Sequence, residues 1–218
     1  DSAVDAHHAC PTLDVDMDRL RKIELYPYRY LIDHGLDAVM VAHCIYPQLD
    51  DKISTVSRPV VHDILREELG FEGLITTDSM TMGALIDRYG VGEACARALA
   101  AGSDTVLMKA ENQWRGEMFY TIEQWVADGR ITPEELDAKV ERVLSIKYDY
   151  GLFDAFGMVD EELADEPYSD PLIISTAREA ARGATLIVKD DLGAIPLDAG
   201  KRILLINQQN AVKSANDE

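Results

Sequence analysis

The stretch Leu74-Ile-Thr-Thr-Asp-Ser-Met-Thr-Met-Gly-Ala84 decides the fold. Residues 73–77 form a short apolar run that stops at a carboxylate and then at a turn of Ser, Met and Gly. A run of that length reads as a buried strand of a parallel sheet. Asp78 then stands at the carboxyl end of the strand, where α/β folds place catalytic groups. An N-cap for the next helix is the competing reading of the same residue.

Working outward, residues 38–42 (Ala-Val-Met-Val-Ala) and 104–108 (Asp-Thr-Val-Leu-Met) repeat the pattern. Between the first two runs, residues 57–69 place Val60, Val61, Ile64, Leu65 and Leu69 at helical spacing, with Pro59 near the start and Gly70 past the end. Residues 92–101 give a second crossover helix, closed by Gly102. The spacing of roughly 30 to 35 residues per unit is that of a β/α repeat, and it predicts three adjacent parallel strands in chain order. Asp37 and Asp104 border strands at the entering ends and read as caps or turn residues.

Upstream, residues 17–33 are helix-like, but Pro27 should kink or split the segment. Downstream, 114–128 and 133–150 read as helices, the second opened by Thr132, Pro133 and Glu135 as a capping box. Residues 152–171 are acidic and aperiodic, as in a linker. A helix over 171–182, strand-like 184–189, a turn over 190–196 and strand-like 202–207 follow. Three parallel strands cannot cover both faces and both edges by themselves, so the expectation is a portion of a larger fold rather than a small open sheet.

Two further clusters carry chemistry. Asp5 lies two residues before His7, so in an extended segment both side chains share one side and the carboxylate can orient the imidazole. Such a pair exchanges protons near neutral pH; a solvated loop or an adventitious metal site is the plainer reading. His43 directly follows the first strand, in Ala42-His-Cys-Ile-Tyr-Pro47, where it either faces a site or serves as a hydrogen-bonded structural histidine.

Composition narrows the function classes. The 218 residues carry 21 Lys and Arg against 40 Asp and Glu, a net charge of -19 that repels nucleic acid and anionic lipid. No apolar run approaches the roughly 20 residues of a membrane span, and no targeting signal or compartment is legible. Cys10, Cys44 and Cys95 have neither metal-ligand spacing nor an even count, and read as small buried thiols.

Taken in order, Asp37-Ala-Val-Met-Val-Ala-His43, Tyr46-Pro47, Ser57-Arg-Pro59, Leu65-Arg-Glu-Glu-Leu-Gly-Phe-Glu-Gly73, Thr77-Asp-Ser-Met80 and Met82-Gly-Ala84 resemble family 3 glycoside hydrolases, in their β-N-acetylglucosaminidase branch. Arg142-Val-Leu, Lys147 and Gly151-Leu-Phe153 resemble the end of that family's barrel domain. The resemblance implies the C-terminal portion of a (β/α)8 TIM-type barrel over residues 1–153, a linker over 154–171, and the start of an α/β sandwich domain over 172–218. It implies Asp78 as nucleophile, His7 as acid/base in an Asp-x-His arrangement with Asp5, and His43 and Met80 on the substrate side. Ala6 stands where the family more commonly has Ser or Thr.

The activity implied is exo-acting, retaining hydrolysis of β-linked N-acetylglucosamine from peptidoglycan fragments or chitin oligosaccharides, without metal or organic cofactor. Phosphorolysis is the rival within the family, because a histidine does not repel incoming phosphate as a carboxylate would. The family's Lys-His-Phe-Pro-Gly-His-Gly stretch, which binds the sugar, does not occur in these residues. Its absence leads to the expectation of an incomplete barrel. Residues 1–12 would then be an unanchored loop, and a complementary half-barrel or self-association would cover the sheet edges. A fragment that only binds such a partner is the non-enzymatic alternative.

Overall fold

A computed structural model describes residues 4–5, 9–109, 112–154, 158, 160–191, 193–198, 200 and 202. The chain divides into two compact units, Asp1–Met158 and Val159–Glu218.

In the first unit, helix α1 (Met17–Arg19) starts where Asp16 accepts the Arg19 amide, and it runs into a wider turn over Leu20–Glu24. Helix α2 (Tyr26–Asp33) begins afresh with Pro27 in its first turn, so the proline splits the segment as expected. Strand β1 (Ala38–Val41) follows, then a 3-10 turn over Ser54–Val56 and a helix over Pro59–Glu68. That helix is wound in the wide register, with the Leu69 amide reaching the Ile64 carbonyl. Strand β2 (Leu74–Ser79) leads through α3 (Gly83–Tyr89) and α4 (Val91–Ala101) to strand β3 (Thr105–Leu107). Helices α5 (Asn112–Ala127) and α6 (Pro133–Asp149) complete the unit. Thr132 and Glu135 form the expected reciprocal cap on α6.

The three strands are parallel and adjacent in the order β1-β2-β3, as the spacing predicts. Val39, Val41 and Ile75 turn one face of the sheet onto the Pro59–Glu68 helix, where they bury against Val61, Ile64, Leu65 and Leu69. Behind β2 and β3, a second cluster joins Ile53, Val56, Met80, Leu85, Val91 and Cys95. Two glycines are required by close approach. A Cβ on Gly73 would strike the Asp37 carbonyl, and one on Gly92 would strike Thr121 on the facing helix α5.

The second unit contains a 3-10 turn over Glu161–Leu163 and helices α7 (Glu166–Ser169) and α8 (Pro171–Ala184). The acidic stretch read as an aperiodic linker thus carries a 3-10 turn started by Asp160 as a side-chain cap and the short helix α7, and Asp170 at its end caps α8. Helix α8 extends past its expected end, and the strand-like residues 184–189 form no ladder among the described residues: Val188 is 95% exposed. An apolar run becomes a strand only when a partner takes up its backbone groups. Residues 203–207 of the next expected strand lie outside the described residues. Among those described, no helix is long and apolar enough to cross a membrane.

Candidate active site

Asp78 is the fifth residue of β2, at the carboxyl end of the central strand. Burial alternates along the strand: Ile75 and Thr77 are buried, while Thr76 and Asp78 are half-buried. Asp78 therefore leaves the sheet on the face opposite Ile75 and the helices behind it. It does not cap the next helix, since α3 starts at Gly83 with Met82 in the capping position. The register of β2 against β3 slips here, with Thr76 opposite Thr105 but Ser79 opposite Leu107. A bulge of this kind re-aims a side chain and is common beside functional sites. The Asp78 carboxylate accepts the Ser79 amide on Oδ1 at 2.6 Å.

His43 is 1% exposed and both ring nitrogens are engaged. Nε2 donates to the Ser79 carbonyl at 2.9 Å, and Nδ1 is 2.6 Å from the Thr55 hydroxyl. Burial pushes its pKa below the ordinary value, against the opposing pull of the Ser79 carbonyl and the Asp78 charge. A side chain so occupied cannot offer a nitrogen to a sugar, which corrects the expected substrate contact. Met80 is corrected in the same way: it is 0% exposed and packs among Ile53, Leu85 and Val91. Of the five residues singled out in the sequence, Asp78, His43 and Met80 are brought together, the latter two beneath the first rather than beside a ligand.

The Asp5 carbonyl accepts the Ala9 amide at 3.1 Å. His7 lies outside the described residues. Among the described residues expected to be unanchored, 10–12 are tied down. The Ile45 amide donates to Pro11 at 2.8 Å, the Leu13 amide donates to Ile45 at 2.8 Å, and the Cys10 thiol approaches the His43 carbonyl at 3.6 Å. This holds residues 10–13 to the segment that leaves the carboxyl end of β1, the same end of the sheet as Asp78.

The model of the glycosyl hydrolase family 3 N terminal domain matches residues 1–146. The chain belongs to glycoside hydrolase family 3. A Cellulomonas fimi protein named β-N-acetylglucosaminidase/β-glucosidase is 32% identical over 196 residues, covering 84% of this chain and 34% of its own length. A β-hexosaminidase of Methylobacillus flagellatus is 40% identical over 108 residues, 48% of this chain and 30% of that protein. Among solved structures, a family 3 β-N-acetylglucosaminidase from Paenibacillus sp. str. FPU-7 superposes with a TM-score of 0.69 at 34% identity, over 73% of this chain and 30% of that one. The chain spans about a third of the length of these relatives. Its parallel β/α units are a portion of the family's (β/α)8 barrel.

In this family 3 barrel portion the opposite, amino end of the sheet holds a buried charge cluster that sequence reading missed. The Asp104 side chain is 0% exposed and meets Arg66 at 2.6 Å and Arg142 at 2.7 Å. It also accepts the Ile75 amide at 2.7 Å, while Arg66 donates to the Phe71 and Gly73 carbonyls. Interactions at that end of a barrel serve stability, not catalysis. One group of described residues has metal-ligand chemistry: His62, Asp63 and Glu67, with ligand atoms within 4.8 Å. These sit on the Pro59–Glu68 helix, where His62 Nδ1 hydrogen-bonds the Asp63 side chain at 3.0 Å.

Proposed function

We propose that this chain carries the nucleophile and the proton-transfer pair of an exo-acting, retaining β-N-acetylglucosaminidase. The observation that supports the reading best is the placement of Asp78: half-buried, at the carboxyl end of the central strand, at a register slip, and not used as a helix cap. With Oδ1 held by the Ser79 amide, Oδ2 is the oxygen assigned to attack.

In the first step Asp78 Oδ2 bonds to the anomeric carbon, the glycosidic C–O bond breaks, and the His7 imidazolium gives its proton to the departing oxygen. Asp5 orients that imidazole and stabilises its charged form. In the second step neutral His7 takes a proton from water as the water oxygen replaces Asp78 on the anomeric carbon, restoring both groups. The substrate class is β-linked N-acetylglucosamine, as in chitin oligosaccharides or peptidoglycan fragments, and neither step requires a metal or organic cofactor.

The test uses the natural polypeptide that contains these 218 residues. An activated 2-fluoro glycoside should label the peptide bearing Asp78, and Asp78→Gly should abolish both label and turnover of an aryl N-acetylglucosaminide. Undiminished turnover in Asp78→Gly, or a label on another carboxylate, would overturn the assignment. Sugar 1-phosphate as the product in phosphate buffer would move the reading to phosphorolysis.

A further inference from the structure

We infer that His43, backed by Thr55, is a positioning residue that fixes the backbone immediately after Asp78 and thereby the aim of its carboxylate; this rests on Asp78 being the nucleophile. The peptide unit between Ser79 and Met80 is held from both sides of β2. Its carbonyl accepts His43 Nε2–H at 2.9 Å, from the segment after β1, and its N–H donates to the Leu107 carbonyl at 2.8 Å, on β3. The preceding amide, that of Ser79, is the one that holds Asp78 Oδ1. A rotation of the clamped peptide would turn the Ser79 amide and the carboxylate with it.

The chemistry of the partners sets the tautomer. A carbonyl only accepts, so the proton of a neutral His43 must sit on Nε2, and Nδ1 must accept. Thr55 supplies that donor at 2.6 Å, and with its one hydroxyl proton committed to Nδ1 it leaves the Ala42 carbonyl, 3.1 Å away, to another donor. Ser54 bonds the same carbonyl at 2.6 Å, so the 3-10 turn over Ser54–Val56 is fastened to the end of β1 and cannot drift from the ring. Burial disfavours the imidazolium, which matches the role of a fixed single donor better than that of a proton carrier. A second-layer donor of this kind acts through geometry, and displacements of about 1 Å at a reacting atom cost on the order of 100-fold in rate.

Three substitutions separate the role from general stability. Glutamine places its amide nitrogen near the position of Nε2 and keeps the donor to Ser79; asparagine is too short to reach. Thr55→Val removes the hydroxyl that supports Nδ1, together with its contact to the Ala42 carbonyl. In the natural polypeptide, His43→Asn should lower kcat by about 100-fold while KM changes by no more than about twofold, and the rate of labelling of Asp78 should fall in parallel. His43→Gln should recover most of the loss, and Thr55→Val should lie between wild type and His43→Asn.

The readout independent of activity is amide exchange at Met80, which should quicken in His43→Asn and stay slow in His43→Gln. Unchanged Met80 exchange or unchanged kcat in His43→Asn, or equal damage in the Gln and Asn variants, would overturn the inference. Absence of turnover and label in wild type would instead refute the nucleophile reading, and the Met80 comparison would still decide whether His43 clamps the peptide.

Discussion

The Asp104 carboxylate lies between two guanidinium groups, 2.6 Å from Arg66 and 2.7 Å from Arg142, at the amino end of the sheet whose other end carries Asp78. It is fully buried and ties four elements together: the helix before β2, the starts of β2 and of β3, and helix α6. Removing one member of such a cluster leaves the others buried without compensation. Asp104→Ala should therefore cost about 3 to 5 kcal/mol of stability. Arg142→Ala, whose side chain is 36% exposed, should cost clearly less. Denaturant midpoints of the two variants check the order, and equal losses would contradict it.

Gly73→Ala should destabilise the protein by about 1 to 3 kcal/mol through overpacking. The obstacle is the backbone carbonyl of Asp37, which is fixed because it accepts the Leu74 amide at 2.8 Å where β1 and β2 begin to pair. Gly70→Ala meets no atoms nearby and is strained only by its positive φ. The two losses therefore have different origins, and shortening Phe71, which also crowds the position of the Gly73 Cβ, should relieve neither fully. Thermal unfolding of the variants measures both.

His43 makes stability depend on pH with a definite sign. Its folded-state pKa lies below the ordinary value of about 6.5 because burial disfavours the imidazolium, although Asp78 and the Ser79 carbonyl pull the other way. The unfolded chain thus binds the proton more readily. The stabilisation is complete above about pH 6.5 and is lost as the pH falls through the folded-state value. Unfolding free energies of wild type and His43→Gln should run parallel above pH 7 and converge on acidification. Curves that stay parallel down to pH 5 would sink the prediction.

The three cysteines should differ in reactivity. Cys95 is 0% exposed, and burial, reinforced by the nearby Glu117 charge, pushes its thiol up to about 12. Cys10 is half-buried, with a thiol raised more mildly, chiefly by burial. Since the thiolate is the reacting form, iodoacetamide should modify Cys10 in the native protein well before Cys95, and Cys95 should react only on unfolding. Peptide mass mapping over time gives the order.

The sequence by itself determined the parallel strands, their order, the crossover helices and the cap of α6, because each depends on residues a few positions apart: apolar runs of strand length, helical spacing, and Gly and Pro at the ends. It also placed Asp78, since the end of a strand is a local property. Only the tertiary structure decided what surrounds that carboxylate. Read locally, His43 and Met80 follow strands and point toward a ligand as readily as toward a core. Contacts with Thr55 and Ser79, 12 and 36 residues from His43, turn the histidine into a buried donor, and the cluster around Leu85 and Val91 takes the methionine. Asp104 passed for a turn residue because its partners Arg66 and Arg142 each lie 38 residues away in sequence. Hydrogen bonds and buried charges are satisfied by whichever groups the packed chain brings within about 3 Å, and proximity across such separations is a property of the fold, not of any stretch of sequence.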